Sequence, residues 1–185
     1  MDKQSESVEE IEMNYREQLL KEHSKANSLI LVDYIGNSQE RFDEFMHCFF
    51  TNEYRVNQRS AMVLSACFDR RPHLIHKHLD RLINQLNEPQ LHVALKRNTI
   101  RILQFLPIPE SLESGLFDNC LKFILDPKEA IAVKAFSMKV CVNICKRYPE
   151  LKHELIPIIE DQMERSDKMG IQARGKAMLK ELAKI

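Results

Sequence analysis

The chain of 185 residues is long enough for a domain with a sizeable core, because 44 % of its residues are hydrophobic. Its four glycines are too few for glycine-rich phosphate loops or for a turn-dense β-sandwich or β-barrel. Basic and acidic residues number 27 each, so the formal net charge is zero. The basic excess typical of general nucleic-acid or membrane-surface binders is therefore missing.

The N-terminal part of the chain begins with polar residues. Residues 1–8 are expected to be flexible, and no signal peptide is expected because no basic segment is followed by an apolar one. Residues 9–24 are predicted to form an N-terminal helix that caps a helical stack. Residues 25–54 are predicted to be a diverged helix pair. Its apolar positions are Ala26, Leu29, Ile30 and Val32 in the first helix and Phe42, Phe45, Met46, Phe49 and Phe50 in the second.

Further along the chain, apolar residues recur at three- and four-residue spacing, which is the period of an amphipathic α-helix. The clearest stripes are Ile75, Leu79, Leu82, Ile83 and Leu86, and then Leu151, Leu155, Ile158, Ile159 and Met163. No segment alternates strictly between apolar and polar residues over five or more positions, so we expect no strand and about nine helices joined by short turns. Asp126-Pro127 is expected to start one helix, with Asp126 as its N-cap, and residues 37–40 can form a capping box at another.

A repeat of about 38 residues runs through this part of the chain. Its register is set by Gln58, Lys96, Lys134 and Arg174, at separations of 38, 38 and 40 residues. A small residue follows three positions later and an apolar residue one position after that, namely Ala61-Met62, Thr99-Ile100, Ser137-Met138 and Ala177-Met178. Twelve second-half positions also repeat, and all are apolar except Glu113. Stacked helix pairs can bury such faces together, which predicts a solenoid, with an irregular helical bundle as the alternative.

Two motifs carry a family resemblance. Asp126-Pro127 is followed by Val133-Lys134, where HEAT repeats have an Asp, then Val-Arg and a small residue. The second-helix segment Leu155-Ile156-Pro157-Ile158-Ile159 is similar to their Leu-Leu-Pro-Leu-Leu pattern. The chain thus resembles HEAT-type helical repeats of the armadillo-like superfamily. Pro157 should kink its helix or mark the true start of that helix.

This resemblance covers roughly residues 55–185 and implies an all-α fold. It implies a right-handed α–α superhelix, a HEAT-like solenoid of about four helix pairs plus terminal helices in a single domain over 1–185. The pairs would span 25–54, 58–95, 96–133 and 134–169, with a C-terminal helix over 170–185. Two features depart from the family: Gln58 stands at a basic position, and Pro157 has no counterpart in the other units. These motifs specify a fold and not a function.

Catalytic signatures are missing from the sequence, which has no nucleophile elbow and no His-Glu-x-x-His motif. A non-enzymatic protein without a cofactor is therefore expected. Of His73, His76 and His78, at most two could bind one metal ion, and exposed helix polarity explains them better. Cys141 and Cys145 share a helix face, but no further ligands are placed beside them, so buried packing is expected rather than a zinc site.

The cysteines and the short apolar clusters predict the cellular compartment of the protein and whether it contacts a membrane. The five cysteines are odd in number and lie in apolar stretches, which favours reduced thiols and a cytoplasmic protein. Apolar clusters such as residues 29–32 are too short to span a bilayer, so no membrane contact is expected.

A polar ridge is the candidate functional surface. In a HEAT-like stack the second helices line the concave face, and the resemblance places eight polar side chains there, interrupted by Ile156. We call these residues the ridge: His76, Asp80, Asn84, Ser114, Asp118, Lys122, Lys152 and Glu160. Mixed charge suits recognition of a protein segment. The expected function is a scaffold that binds an unidentified protein or peptide, although the ridge could also be only a solvated face.

Nucleic-acid binding is the alternative function. Basic pairs recur at Arg70-Arg71, Lys96-Arg97 and Lys146-Arg147, and the architecture resembles that of alkylation-repeat DNA glycosylases. In that case Asp80 or Asp118 would supply the catalytic acid. Zero net charge and the lack of tryptophan disfavour this function. A third class, an enzyme or small-molecule binder with its site between repeats, would be favoured by a pocket with converging titratable groups.

Overall fold

The structure, a computed structural model, describes residues 12–185. Within them the chain is all-helical and contains no strand, which confirms the predicted fold class. The α-helices are α1 (Tyr15–Lys21), α2 (Lys25–Ile35), α3 (Gln39–Phe49), α4 (Tyr54–Arg70), α5 (Leu79–Gln85), α6 (Val93–Leu103), α7 (Glu110–Leu125), α8 (Ile131–Cys145), α9 (Lys152–Glu164) and α10 (Met169–Leu182). Short 3₁₀ segments, Pro72–His78 and Pro149–Leu151, directly precede α5 and α9. The chain forms two compact units, Met1–Ala66 and Cys67–Ile185, with the boundary inside α4.

The N-terminal unit contains α1 to α3 and the first part of α4. Asn14, Ser24 and Ser38 cap its first three helices, because their side-chain oxygens accept hydrogen bonds from backbone N–H groups of the first turn. Its core combines aliphatic and aromatic side chains, and those with no exposed surface include Phe42, Phe45, Phe49, Leu31 and Ile35. The predicted pair over 25–54 is present as α2 and α3. Ile30, which was expected on the apolar face, is 49 % exposed.

The first helix is shorter than the predicted span 9–24. It begins at Tyr15 because Asn14 caps it, and it ends at Lys21 because Glu22 adopts an extended backbone. The predicted flexible residues 1–8, and residues 9–11 of the predicted helix, lie outside the described part of the chain.

The C-terminal unit contains two rows of helices. Alternate helices pack on each other, so that α6, α8 and α10 form one row and α5, α7 and α9 form the other. This is the neighbour relation expected for stacked helix pairs. Helix α8 contacts α6, α7, α9 and α10, and ten of its fifteen residues are buried. It is therefore the centre of the core of this unit.

The repeat register predicts burial well in the interior of the chain and poorly at two places. Thr99 and Ser137 are buried as expected, which lets α6 and α8 approach closely. Ala177 is exposed because α10 is the last helix of its row in the described chain. Met62 is also exposed, unlike the apolar residues at the equivalent positions in later repeats.

One prediction about a helix start was wrong, and one of the two alternatives for Pro157 is excluded. Helix α8 begins at Ile131, and Asp126 ends α7 instead, where its Oδ1 accepts a hydrogen bond from the backbone N–H of Lys128 at 2.8 Å and closes a turn. Pro157 does not mark the start of α9, since it lies inside the helix. The true start follows Pro149, which opens the preceding 3₁₀ segment.

An ion pair joins α8 to α10 and makes the stability of the protein depend on pH. Lys139 Nζ donates to Glu181 Oε2 at 2.6 Å, and Lys146 Nζ lies 3.6 Å from the same oxygen. The hydrogen bond from Lys139 and the two positive charges hold the pKa of Glu181 below its ordinary value. This stabilisation is present above the pKa of the unfolded state and is lost as the pH falls through the lower folded-state pKa.

We therefore expect Glu181→Gln to be less stable than the wild type at neutral pH. This gap should narrow in acid, as the pH falls through the lowered folded-state pKa of Glu181. Urea unfolding followed by circular dichroism at neutral and at acidic pH measures the gap. Glu164→Gln, which removes an exposed carboxylate from α9, is the control and should show little difference at either pH. A gap of the same size in acid would contradict the assignment of the stabilisation to the Glu181 carboxylate.

Candidate interaction surface

The structure places the ridge on consecutive helices of one row of the C-terminal unit. Asp80 and Asn84 lie in α5, while the residues at 114, 118 and 122 lie in α7 and those at 152 and 160 in α9. Seven of the eight side chains are exposed, and Lys152 is half-buried. Since α5 packs on α7 and α7 on α9, neighbouring helices carry the ridge residues. Spacing of four residues in α5 and α7, and of eight in α9, keeps those of each helix on one side of it.

His76 differs from the other ridge residues. It lies in the 3₁₀ segment Pro72–His78, one turn before α5 begins. A 3₁₀ helix has three residues per turn, so the four-residue spacing to Asp80 does not place the two side chains on one face. The continuous α-helical stripe expected from His76 onward was therefore wrong at its first position.

A cavity of about 390 Å³ lies beside the ridge in the C-terminal unit. It brings together Ser114 and Asp118 of the ridge with residues from the end of α8 and the start of α9. The lining residues are Glu110, Glu113, Ser114, Phe117, Asp118, Ile144, Tyr148, Glu150, Leu151 and Glu154. Five of these ten residues carry carboxylates, and none of them is a lysine or an arginine, so the cavity is strongly acidic.

Glu113 is the buried member of this set. It occupies a core position of the repeat, and only 4 % of its surface is exposed. Its Oε1 accepts a hydrogen bond from Arg147 Nη1 at 3.0 Å, whereas its Oε2 has no hydrogen-bond partner within residues 12–185. Arg147 also lies 3.5 Å from Glu110. Desolvation, together with the neighbouring Glu113 carboxylate, raises the pKa of the Tyr148 hydroxyl above its ordinary value, so this hydroxyl stays protonated at neutral pH.

Sequence reasoning found only part of this site. The ridge prediction contained Ser114 and Asp118 but none of the glutamates of the cavity. One signal for the cavity was present, because Glu113 was the only charged residue among twelve repeat positions that are otherwise apolar. Burying a carboxylate at a core position costs free energy unless it has partners. Such a residue therefore indicates a candidate functional site rather than ordinary core packing.

A sequence profile of the HEAT repeat domain matches residues 15–182, which is most of the chain. This chain belongs to the HEAT repeat family. HEAT repeats generally mediate protein–protein interaction, and HEAT repeat proteins are typically non-enzymatic scaffolds. No curated protein and no solved structure gives a significant match to the chain. Over residues 12–185, no helix of this HEAT repeat protein has the length and apolar character needed to cross a bilayer.

The cysteines of this HEAT repeat protein are core residues. Cys67, Cys120, Cys141 and Cys145 are buried, as predicted for the last two, and Cys48 is half-buried. Burial raises the pKa of Cys145 to about 11 and that of Cys67 to about 12. These thiols are therefore protonated and unreactive at neutral pH.

The histidines that were considered as metal ligands are spread along the 3₁₀ segment before α5. His73 and His76 are exposed, and His78 is half-buried. Within the described residues, no group of three or more histidines, cysteines or carboxylates is arranged to hold a metal ion.

Three of the six residues in the basic pairs of this HEAT repeat protein lie against carboxylates. Lys96 forms an ion pair with Glu129 and Arg147 forms one with Glu113, while Lys146 lies close to Glu181. Lysines and arginines that already neutralise carboxylates contribute little to phosphate binding.

Proposed function

We propose that this HEAT repeat protein is a non-enzymatic scaffold that binds a partner protein or peptide on the ridge, the concave side of its second helices. The observation that supports this most directly is that six of the eight ridge residues are exposed on the successive helices α5, α7 and α9. Successive second helices give a HEAT repeat protein an extended surface for one partner.

The charges of the ridge favour a protein partner over a nucleic acid. The ridge carries both signs of charge, with Asp80, Asp118 and Glu160 negative and Lys122 and Lys152 positive, so complementary charges on the partner can fix its register. Phosphates would meet repulsion at the acidic cavity beside Asp118. For the same reason we do not assign Asp80 or Asp118 the role of a glycosylase acid. A cytoplasmic location belongs to the same proposal, and the free, mostly buried cysteines support it.

The test compares two charge-reversed baits that keep the net charge of the protein. The ridge bait carries Asp80→Lys with Lys122→Glu, and neither residue lines the acidic cavity. The control bait carries Glu164→Lys with Lys176→Glu, which are exposed residues outside the ridge. Quantitative mass spectrometry of crosslinked captures from native lysate should show a partner that the ridge bait recovers at least about tenfold less than the wild type, while the control bait retains it.

Equal recovery of every protein by both baits would contradict the proposal. A gel-shift titration of the purified protein with duplex DNA at low salt accompanies the capture. Salt-sensitive retardation of the DNA that the ridge bait abolishes would instead favour the nucleic-acid function.

A further inference from the structure

We propose that the acidic cavity beside the ridge accepts an arginine side chain of the partner protein. This inference rests on the proposed function, because it names the chemistry of the group that the partner inserts. The cavity has about 390 Å³, near the lower end of the range of ligand sites, which suits one long side chain rather than a whole cofactor.

The charge of the cavity selects a cation. Five carboxylates line it, and the nearest compensating charge, Arg147, is already bonded to Glu113 and lies close to Glu110. Asp118, Glu150 and Glu154 are exposed at the surface, so they can attract a cation from solution. A guanidinium entering among these carboxylates would replace their mutual repulsion with charge-assisted hydrogen bonds.

The buried carboxylate gives the cavity an unfilled acceptor. Glu113 lines the cavity, and its Oε2 is covered by protein and has no hydrogen-bond partner within residues 12–185, although Arg147 bonds Oε1 and the Tyr148 hydroxyl interacts with the same carboxylate. A buried acceptor without a donor costs free energy, and that cost is relieved when a ligand supplies the donor. This is the observation that separates the cavity from an ordinary cluster of surface acids.

The apolar part of the wall favours arginine over a small cation. Phe117, Tyr148 and Leu151 line the cavity together with the carboxylates. Aromatic rings and aliphatic side chains can pack against a planar guanidinium and its methylene stem, whereas a hydrated metal ion gains nothing from them. Lysine has a similar stem, but its ammonium group lacks the planar fork that bridges two carboxylates at once.

The experiment uses the full chain and a short synthetic probe. The acetylated and amidated peptide Gly-Ala-Gly-Arg-Gly-Ala is titrated into ¹⁵N-labelled protein, with amide shifts followed by NMR. The matched probes carry citrulline, a neutral isostere, or lysine at the arginine position. We expect saturable shifts at residues 113–118 and 148–154 with the arginine peptide, no saturable shifts with the citrulline peptide, and about tenfold weaker binding of the lysine peptide.

Variants of the cavity test the same assignment. Glu154→Gln and Glu150→Gln change exposed side chains, so they should fold normally and weaken binding of the arginine peptide by about threefold or more. Glu113→Gln should weaken it further. Glu164→Gln removes one negative charge outside the cavity and should leave the affinity unchanged. Equal shifts with the citrulline peptide, equal affinity for lysine and arginine, or equal effects of Glu154→Gln and Glu164→Gln would overturn the proposal.

The peptide titration and the capture experiment can contradict the arginine pocket and the scaffold function independently of each other. If the arginine peptide does not bind while the ridge bait still loses its partner, the arginine pocket is wrong and the scaffold function stands. If the peptide binds in the cavity but the ridge bait retains every partner, the ridge is wrong as the docking surface.

Discussion

Replacing Leu155 by alanine is expected to lower the free energy of unfolding by about 2–5 kcal/mol. Leu155 lies in α9 with none of its surface exposed, and it belongs to the core cluster of the C-terminal unit. The substitution removes buried methyl and methylene groups and leaves a cavity that the surrounding helices fill only in part. Ile83→Ala tests the same interior from α5, where 3 % of the residue is exposed. Chemical denaturation followed by circular dichroism measures both losses.

Glu160→Ala serves as the control for Leu155→Ala, because Glu160 lies on the exposed side of the same helix. Its free energy of unfolding should stay within about 0.5 kcal/mol of the wild type. An unchanged denaturation midpoint for Leu155→Ala would show that α9 turns a different face to the core.

Replacing Arg147 by alanine is expected to lower the free energy of unfolding by about 1–3 kcal/mol, which is unusually large for a half-exposed arginine. The reason is the carboxylate that it leaves behind. Glu113 has a side chain that is 5 % exposed, and Arg147 supplies its hydrogen bond at Oε1. Without that donor, a buried carboxylate loses the guanidinium that neutralises it, which costs free energy.

Arg165→Ala is the matched control for Arg147→Ala. Arg165 also forms an ion pair, at 2.6 Å with Asp161, but its side chain is 76 % exposed, so water can replace the lost partner. Its loss should be below about 1 kcal/mol. A double variant, Glu113→Leu with Arg147→Ala, should be more stable than Arg147→Ala alone, because the stranded charge is gone. If the two arginine variants lose the same amount, Glu113 does not depend on Arg147.

The core of the C-terminal unit could be predicted from sequence because its helices repeat. Burial at Thr99 and Ser137 follows from a register in which each first helix is flanked by others, as α8 is. The same register failed at Ala177, since the exposure of a side chain depends on whether another helix follows, which the periodicity of one helix does not contain.

Local signals were weaker predictors of helix ends. Asp126-Pro127 has the composition of a helix start, yet the same aspartate can close a turn onto a nearby backbone N–H, and that conformation prevails here.

The cavity could not be predicted from the sequence for a different reason. Its walls come from α7, α8, α9 and the 3₁₀ segment between the last two, so only the packing of these elements brings Phe117, Tyr148 and Glu154 together.

The central position of α8 affects how residues 67–185 unfold. Many repeat arrays can unravel from an end, because each unit touches only its two neighbours. Here the mostly buried helix α8 contacts four other helices, so the detachment of any one of them exposes part of α8 to water. Partial unfolding of this unit therefore costs much free energy, and residues 67–185 should unfold in one concerted step rather than helix by helix.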